Sequence, residues 1–527
     1  MVIDLRKLAK FCLYAAVFSV IIVMSSTFFP FIGGKYYFFR FCIELALALT
    51  ILWWAFEAPP GSLEKRLEHV FSQPLFIAVS LFVLAVLLAS IFAYDPHGAF
   101  WSNYERGEGG FQMLHYYMFF VLLLTLFEEE KDWQRLFALS LVAAVILIVY
   151  GIMAANFVDN FIGGYTDVNG QPFGTTLWGN LFAPQTRFQG SLGNPAYVAP
   201  YLMFCMFYAL WRWVSLKKEK LWDGWYVAMI AFLPMTFYEN TAKWHILLAV
   251  SIVVIALLVV WQRRFRQKAI LRGAWYTSLI LYFLVFFFLS QTRGTLLGLL
   301  AAITVFFLYL IFLYRPWRKI GLIVLATLII VGGVLHHYKD APAIQRLPGA
   351  RLLDMDVTQV TAQTRIWTWG SAWHGFLERP IFGWGPENFS TVFDRYFDIR
   401  HYSPGQPSET WFDRAHSIIF DYLAETGICG FLGFFGTFGV FFWQFYKMRK
   451  KRGSTSLIEP ATSGHRAATS VLVHERHVPI LDALLISIPV GYLVQGLVLF
   501  DVLPIYMNVF LFLSFAAGLF MRQNKTA

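Results

Sequence analysis

Two arginines stand in polar surroundings beside long apolar stretches of the chain. Arg187 lies in QTRFQGSLGNP (185–195) and Arg293 in SQTRGT (290–295). A guanidinium group presents a planar fork of donors that fits two phosphate oxygens at once. An arginine at a membrane surface can instead extend its charge to the lipid headgroups. The pair therefore predicts a phosphate or pyrophosphate site, with headgroup contact as the alternative.

A histidine in a polar segment is the candidate for proton transfer. His416 lies in DRAHS (413–417), directly before another apolar stretch. Histidine has an ordinary pKa near 6.5, so it can take a proton from a hydroxyl group near neutral pH. The alternative is a hydrogen-bonded histidine at the membrane interface. Spacing alone does not distinguish His416 from the histidines at positions 97, 115, 336, 337, 374 and 401.

Membrane helices must carry these residues. Of the 527 residues, 58% are apolar and only 14% are charged, whereas soluble domains have roughly 25% charged residues. Apolar runs reach about 20 residues, which is enough for a helix to cross a bilayer. We predict an all-α polytopic membrane protein with about fourteen transmembrane helices, and at least twelve. The predicted spans are 11–31, 36–56, 74–94, 113–127, 135–157, 195–214, 225–239, 244–261, 274–291, 294–314, 319–337, 427–446, 478–500 and 504–521.

Lysine and arginine predict the orientation of these spans. Most of the 42 basic residues fall in one alternate set of loops, and such loops stay in the cytoplasm. Both termini are then cytoplasmic, and the segments around 95–112, 158–194 and 339–426 face outward. The net charge of +10 thus indicates orientation in a membrane and predicts no nucleic-acid partner. Arg187 and Arg293 are exceptions, because they lie on the outward side.

We predict one transmembrane domain over residues 1–527, interrupted by three loops. These are an outer loop at 158–194, a mobile cytoplasmic loop at 447–477, and residues 339–426, which we call the large loop. Trp369, Trp373 and Phe376 have helical spacing in the large loop, and tryptophan-rich amphipathic helices settle at the membrane interface. The large loop is therefore predicted to be a helical extracytoplasmic lid over the outer mouth of the bundle.

Neither a metal nor a cofactor is predicted. The four cysteines all lie in apolar runs, a pattern that suits packing better than disulfides or metal binding. Asp354-Met-Asp356 is only a weak match to a metal–nucleotide motif. The motifs GxxxxGK[ST], HExxH and GxSxG are missing from the sequence, which argues against nucleotide hydrolysis, zinc proteolysis and α/β-hydrolase chemistry.

Several motifs in the same order resemble the superfamily of O-antigen ligases and O-antigen polymerases. Together they span most of the chain, although each is weak alone. Ser417 departs from the superfamily, which often has asparagine after the histidine, and the spans at 225–261 resemble an insertion. The motifs are SNYERGEG (102–109), RFQGSLGNP (187–195), TRGTLLG (292–298), RIW (365–367), PIFGWGPENF (380–389), His416 followed by ETG (425–427), and QGLVLFD (495–501).

The resemblance implies a bundle of the GT-C type and a metal-independent, inverting glycosyltransferase. The donor would be a glycan on undecaprenyl pyrophosphate, and the acceptor would be a hydroxyl group of a lipid, glycolipid or protein. Arg187 and Arg293 match arginines that hold the pyrophosphate, and His416 matches the proposed general base. Supporting positions in the large loop are Arg365, Glu387, Asn388 and Arg414.

The resemblance implies an enzyme of the cytoplasmic membrane that acts on its outer face among membrane lipids, and it leaves the reaction open. A polysaccharide polymerase and a protein O-oligosaccharyltransferase fit the same motifs. A transporter or flippase of lipid-linked sugar is the alternative from a different class. Transporters often contain inverted repeats, and the sequence shows no repeat, which disfavours this alternative.

Overall fold

A computed structural model of the chain describes residues 4–103, 107–155, 182, 186–215, 269–347, 349–353, 360–402, 410–455 and 465–525. The secondary structure of these residues is helical, without a strand. The helices are α1 (Leu5–Ala16), α2 (Gly33–Phe56), α3 (Ser62–Phe71), α4 (Pro74–Ile91), α5 (Pro96–Trp101), α6 (Gly110–Leu126), α7 (Glu130–Ala155), α8 (Pro195–Ser215), α9 (Ala269–Leu289), α10 (Arg293–Leu313), α11 (Arg318–His337), α12 (Pro342–Gln345), α13 (Val360–Glu378), α14 (Phe389–Arg395), α15 (Ile418–Thr455), α16 (His465–Gly496) and α17 (Leu503–Lys525).

The prediction of an all-α polytopic membrane protein is confirmed. Among the described residues, eight helices are long and apolar enough to cross a membrane, and two shorter apolar helices accompany them. The predicted spans at 225–239 and 244–261 lie outside the described residues, as does most of the predicted outer loop at 158–194.

The first predicted span, 11–31, differs from the structure. Helix α1 ends at Ala16 and continues only as a short 3-10 helix, Val17–Ile21. The polar run Ser25-Ser26-Thr27 and then Pro30 follow, and proline cannot continue a helix. The side chain of Lys35 in α2 donates a hydrogen bond to the carbonyl oxygen of Ile22. The sequence pattern predicts an uninterrupted helix here. In the structure the helix has ended, and the lysine side chain forms a hydrogen bond with a backbone carbonyl of the segment that follows.

Helices α10 and α16 make the most extensive contact between two elements, and two glycines let them approach closely. A Cβ atom at Gly298 of α10 would lie 2.5 Å from the carbonyl oxygen of Gly491 in α16. Small residues at such crossings bring helix backbones together in membranes. The contact fixes the start of α10, where Arg293 lies, against the end of α16.

Helix α15 contains a sharp break at Gly427, where φ is +61° and ψ is −162°. The segment 379–388, between α13 and α14, docks on this break. Trp384 donates its backbone N–H to Ala424, and Ile428 donates its backbone N–H to Pro380, at 2.9 and 2.8 Å. A side chain at Gly427 would lie against the carbonyl of Ile381. The break therefore joins the large loop to the membrane helix that follows it.

The large loop has its own small core. Helix α13 packs on α15, and its residues Thr368 and Ala372 are fully buried. Trp369 stacks on Phe420 at 5.3 Å, whereas Trp373 is 45% exposed, so the aromatic residues predicted on one face divide between two environments. The core consists of Ala372, Trp384, Phe389, Val392, Phe393, Phe412, Ala415 and Ala424.

Helices enter the predicted cytoplasmic loop at 447–477 from both sides. Helix α15 continues to Thr455, and α16 begins at His465. The predicted boundaries thus differ from the structure, because the pattern of charged residues ends a membrane span but does not end a helix. The mobility of this loop stays a prediction.

Candidate functional site

The segments that carry Arg187 and Arg293 are joined by hydrogen bonds. The backbone N–H of Phe188 donates to the carbonyl of Leu289 at 2.9 Å. The amide of Gln291 donates to the carbonyl of Thr186 at 2.8 Å, and the Thr292 hydroxyl donates to the carbonyl of Pro195 at 3.0 Å. The structure thereby brings together two arginines that are more than one hundred positions apart in the sequence.

A buried lysine holds the segment after Arg187 in place. The ammonium group of Lys35 donates to the carbonyl of Ser191 at 2.7 Å. The hydroxyl of Ser191 in turn donates to the carbonyl of Val20 at 2.7 Å. Sequence reasoning missed Lys35, whose charge near the start of an apolar stretch was the available signal.

Four arginines form what we call the arginine cluster: Arg187, Arg293, Arg351 and Arg365. Arg187 Nε donates to the carbonyl of Ser290 at 3.2 Å. Arg293 Nε donates to the carbonyl of Arg351 at 3.0 Å. Burial, together with the positive charges of Arg351, Arg293 and Arg365, lowers the pKa of Arg187 to about 10. An anion at this place would relieve the repulsion between the guanidinium groups.

Sequence reasoning missed Arg351. It follows Gly349-Ala350 in the large loop, and its side chain is exposed. The sequence did contain a signal for Arg351, the same as for Arg187 and Arg293. It is an arginine on the side of the membrane that is predicted to be poor in positive charge. Arg365, half-buried in α13, was named as a supporting residue and lies in the cluster.

His416 lies at the start of α15 in an unusual backbone conformation, with φ at +58°. Its Nδ1 atom and the carbonyl oxygen of Arg414 are 3.1 Å apart. A carbonyl only accepts hydrogen bonds, so Nδ1 carries the proton and the neutral imidazole has its lone pair on Nε2. This tautomer is the one that a general base acting through Nε2 requires.

An aromatic side chain lies between His416 and the arginine segments. The Phe500 ring lies edge-on to the ring of His416 at 5.0 Å and contacts the ring of Tyr197 in α8 at 6.0 Å. The neighbouring side chains of Val498 and Leu499 lie against Gly294, the residue after Arg293. His416 and the start of α10 are therefore linked through the short segment between α16 and α17.

Two other supporting residues form a buried ion cluster. The guanidinium of Arg414 donates to the carboxylates of both Glu387 and Glu425, and at most 10% of each of the three side chains is exposed. Burial alone would lower the pKa of Arg414, but Glu387 and Glu425 raise it well above its ordinary value. Both acids engage Arg414, so this arginine supports the fold around His416 and stands apart from the arginine cluster.

Asn388, the last supporting residue, forms hydrogen bonds with other parts of the protein. Its side-chain amide donates to the carbonyl of Asp95 at 3.3 Å and to that of Pro386 at 3.1 Å. Asn388 thus ties the large loop to the segment between α4 and α5.

Arg414 and Phe500, which contact His416, line a small cavity that we call the carboxylate chamber. It measures about 40 Å³, room for a few water molecules. Tyr36 and Tyr116 donate hydrogen bonds to Glu108, and Tyr492 donates to Asp501. The carboxylates and the arginine that line it are Glu108, Asp421, Glu425, Asp501 and Arg414.

Two of these carboxylates lie in loops and hold protons near neutral pH. Burial raises the pKa of Glu108 to about 8, although its hydrogen bond from Tyr36 lowers it. Burial likewise raises the pKa of Asp501 to about 7, against the lowering effect of Tyr492. The chamber therefore carries less negative charge than its composition suggests.

Within the described part of the chain, no group of three or more histidine, cysteine, aspartate and glutamate side chains is arranged to hold a metal ion. Asp354 and Asp356 lie outside the described residues.

Comparison with known proteins supports the resemblance found in the motifs. The model of the family described as O-Antigen ligase matches residues 277–435. This range includes Arg293, Arg351, Arg365 and His416, whereas Arg187 lies outside it. A comparison with curated proteins finds no match. Over residues 277–435, this multi-pass membrane protein thus resembles the O-antigen ligase superfamily.

Proposed function

We propose that this protein is a glycosyltransferase that moves a glycan from undecaprenyl pyrophosphate to an acceptor hydroxyl on the outer face of the cytoplasmic membrane. The observation that carries the proposal is the arginine cluster, in which three positive charges surround the partly buried guanidinium of Arg187. The segment between α16 and α17 links this cluster to His416, whose Nδ1 atom faces a carbonyl oxygen. The resemblance to O-antigen ligases over residues 277–435 supports the same chemistry.

In the proposed reaction, Nε2 of His416 takes the proton of the acceptor hydroxyl as its oxygen attacks the anomeric carbon. The bond from that carbon to the pyrophosphate oxygen breaks, and its electron pair leaves with the pyrophosphate. Attack opposite to the leaving group inverts the anomeric configuration. The energy comes from the activated donor, so the reaction requires no nucleotide.

The arginine cluster stabilises the charge that develops on the departing pyrophosphate. Donors fixed in a partly dry site act more strongly than the same groups in water. Each guanidinium can offer two parallel hydrogen bonds to phosphate oxygens. With up to four such groups, the proposed reaction does not depend on a divalent cation.

The test is transfer by the purified protein from an undecaprenyl-pyrophosphate glycan in the presence of EDTA, with mass analysis of the product. We expect transfer by the wild-type protein and a loss of at least about 100-fold in Arg293→Ala and in His416→Ala. The controls are Arg346→Ala and His374→Ala, which change exposed residues of the large loop. Wild-type transfer in either site variant would remove that residue from the proposal.

The product also distinguishes the alternatives that the sequence leaves open. Glycan attached to a lipid or glycolipid acceptor supports a ligase, and glycan attached to protein supports an O-oligosaccharyltransferase. Longer chains that remain on undecaprenyl pyrophosphate indicate a polymerase. Movement of the donor across vesicles without any transfer would support a flippase and contradict the proposal.

A further inference from the structure

The backbone of His416 needs a support that the proposed mechanism does not yet include. Its φ of +58° lies in the left-handed region, which residues with a Cβ atom rarely adopt and which persists only where the surroundings hold it. The hydrogen bond from Nδ1 to Arg414 orients the ring, but it leaves the backbone on either side of His416 to be fixed by other groups.

Asp421 supplies that support from one turn further along α15. Its Oδ1 atom accepts a hydrogen bond from the backbone N–H of Ala415 at 2.6 Å. The backbone of Ser417 also interacts with this carboxylate. Ala415 and Ser417 are the two neighbours of His416, so one buried carboxylate holds the chain on both sides of the histidine.

Asp421 lines the carboxylate chamber, and its second oxygen makes no hydrogen bond within the protein. Asp421 is only 8% exposed, and Oδ2 has no hydrogen-bond partner within the protein. A buried carboxylate oxygen without a protein donor requires water or a proton, and the chamber has room for water. The charged and titratable groups around Asp421 are Glu108, Asp413, Arg414, Glu425, Asp501 and Tyr422.

We infer that Asp421 is the positioning residue of His416. Its Oδ1 atom holds the left-handed turn that aims the imidazole, while Oδ2 is solvated by water in the chamber. The inference rests on the proposed function, in which His416 is the general base. Positioning requires only an acceptor oxygen at Oδ1. An asparagine amide has the same shape and the same acceptor, so it should position His416 as the carboxylate does.

Three variants separate positioning from other roles. Asp421→Asn retains the acceptor oxygen, and its NH2 group would face the acids of the chamber. Asp421→Ala removes the acceptor. The matched control is Asp482→Asn, which changes another buried carboxylate; Asp482 lies in α16 and pairs with Arg449 of α15. Recovery of each variant as a monodisperse peak in detergent checks that it folds.

The first measurement does not depend on transfer. Diethyl pyrocarbonate modifies the unprotonated ring nitrogen of histidine. Peptide mass analysis gives the rate of modification at His416, with exposed His374 as the internal reference. We expect Asp421→Ala to change the rate at His416 by at least threefold. Asp421→Asn and Asp482→Asn should keep the wild-type rate. A wild-type rate in Asp421→Ala, or equal changes in the alanine and asparagine variants, would overturn the inference.

The second measurement is the kinetics of transfer. We expect Asp421→Ala to lower kcat about 10- to 100-fold at an unchanged KM for the donor, because the arginine cluster remains intact. Asp421→Asn should recover most of kcat. A loss confined to the donor KM would contradict positioning. Full transfer by His416→Ala would refute the proposed function. If the modification rate of His416 still responds to Asp421→Ala in the protein that keeps His416, the positioning contact stands.

Discussion

At position 187, an arginine keeps its positive charge over a wider pH range than a lysine would. Burial and the positive charges of Arg351, Arg293 and Arg365 lower the pKa of Arg187 to about 10, which still leaves the guanidinium protonated at pH 7. Lysine begins from an ordinary pKa near 10.4. The same surroundings would bring a lysine at this position to roughly 8.

The variant Arg187→Lys should therefore lose transfer activity in a pH-dependent way. At pH 7 we expect about a 10-fold loss, because lysine lacks the fork of donors. Between pH 7.5 and 9 the loss should deepen further, since the lysine releases its proton while the wild-type arginine does not. The measurement is kcat/KM across this pH range. Parallel pH profiles for both proteins would show that residue 187 does not hold charge for the reaction.

Residue type and sequence context predict two residues of the candidate site. Arg187 and Arg293 follow from arginines in polar segments on the side predicted to be poor in positive charge, whereas His416 is distinguished from the other histidines only by the resemblance to the superfamily. Asp421 gave no such signal, because an acid in the first turn of a helix is common. Its contact with Ala415 depends on the left-handed turn at His416, which the sequence does not reveal. Arg351 carried the same sequence signal as Arg187 and Arg293, but its contact with Arg293 depends on how the large loop folds against α10.

At the scale of elements, the break in α15 is the feature that joins the large loop to the membrane domain. Gly427 has a positive φ, and a Cβ atom there would meet the carbonyl of Ile381. Gly436 lies in the same helix, and a Cβ atom there would meet nothing within 4 Å. The two glycines form a matched pair for substitution. The backbone conformation requires glycine at Gly427 but not at Gly436.

We expect Gly427→Ala to destabilise the protein by about 2 kcal/mol or more, through backbone strain and the steric conflict with Ile381. It should also reduce transfer, because the segment before α14 positions the neighbours of His416. Gly436→Ala should be neutral or slightly stabilising. The measurement is the melting temperature in detergent together with kcat. Equal effects of the two substitutions would show that the break is not required.

Hydrophobic runs predicted most membrane helices, because burial in lipid requires an apolar stretch of defined length. They did not predict where helices end. Helix α15 extends in both directions past the apolar run at 427–446, since its charged turns satisfy the same backbone hydrogen bonds. The short α1 shows the opposite case, in which apolar residues continue after Ala16 but the helix does not.

At the scale of the whole molecule, buried carboxylates make stability depend on pH. Burial raises the pKa of Glu108 to about 8, whereas an unfolded glutamate has a pKa near 4.3. Between these values the folded protein binds a proton that the unfolded chain releases. The contribution of Glu108 to stability should therefore be greatest below about pH 4 and should fall as the pH rises to about 8.

The variant Glu108→Gln should weaken this dependence. Glutamine can still accept the hydrogen bonds from Tyr36 and Tyr116, but it has no proton to lose. We expect the fall in stability between pH 5 and pH 8 to shrink by roughly 1 kcal/mol or more. Asp501 would continue to contribute in the same direction. The melting temperature at both pH values provides the measurement, with Glu68→Gln on the exposed face of α3 as control. An unchanged dependence would contradict a protonated Glu108.

The crossing of α10 and α16 at Gly298 and Gly491 has a consequence for the protein in different membranes. Backbone touches backbone there, so no flexible side chain is available to absorb a relative sliding of the two helices. Bilayers of different thickness tilt their helices, and this pair must tilt as a single body. Arg293 begins one helix and Phe500 follows the other. We therefore expect the distance between the Arg293 guanidinium and the Phe500 ring beside His416 to stay the same in bilayers of different thickness.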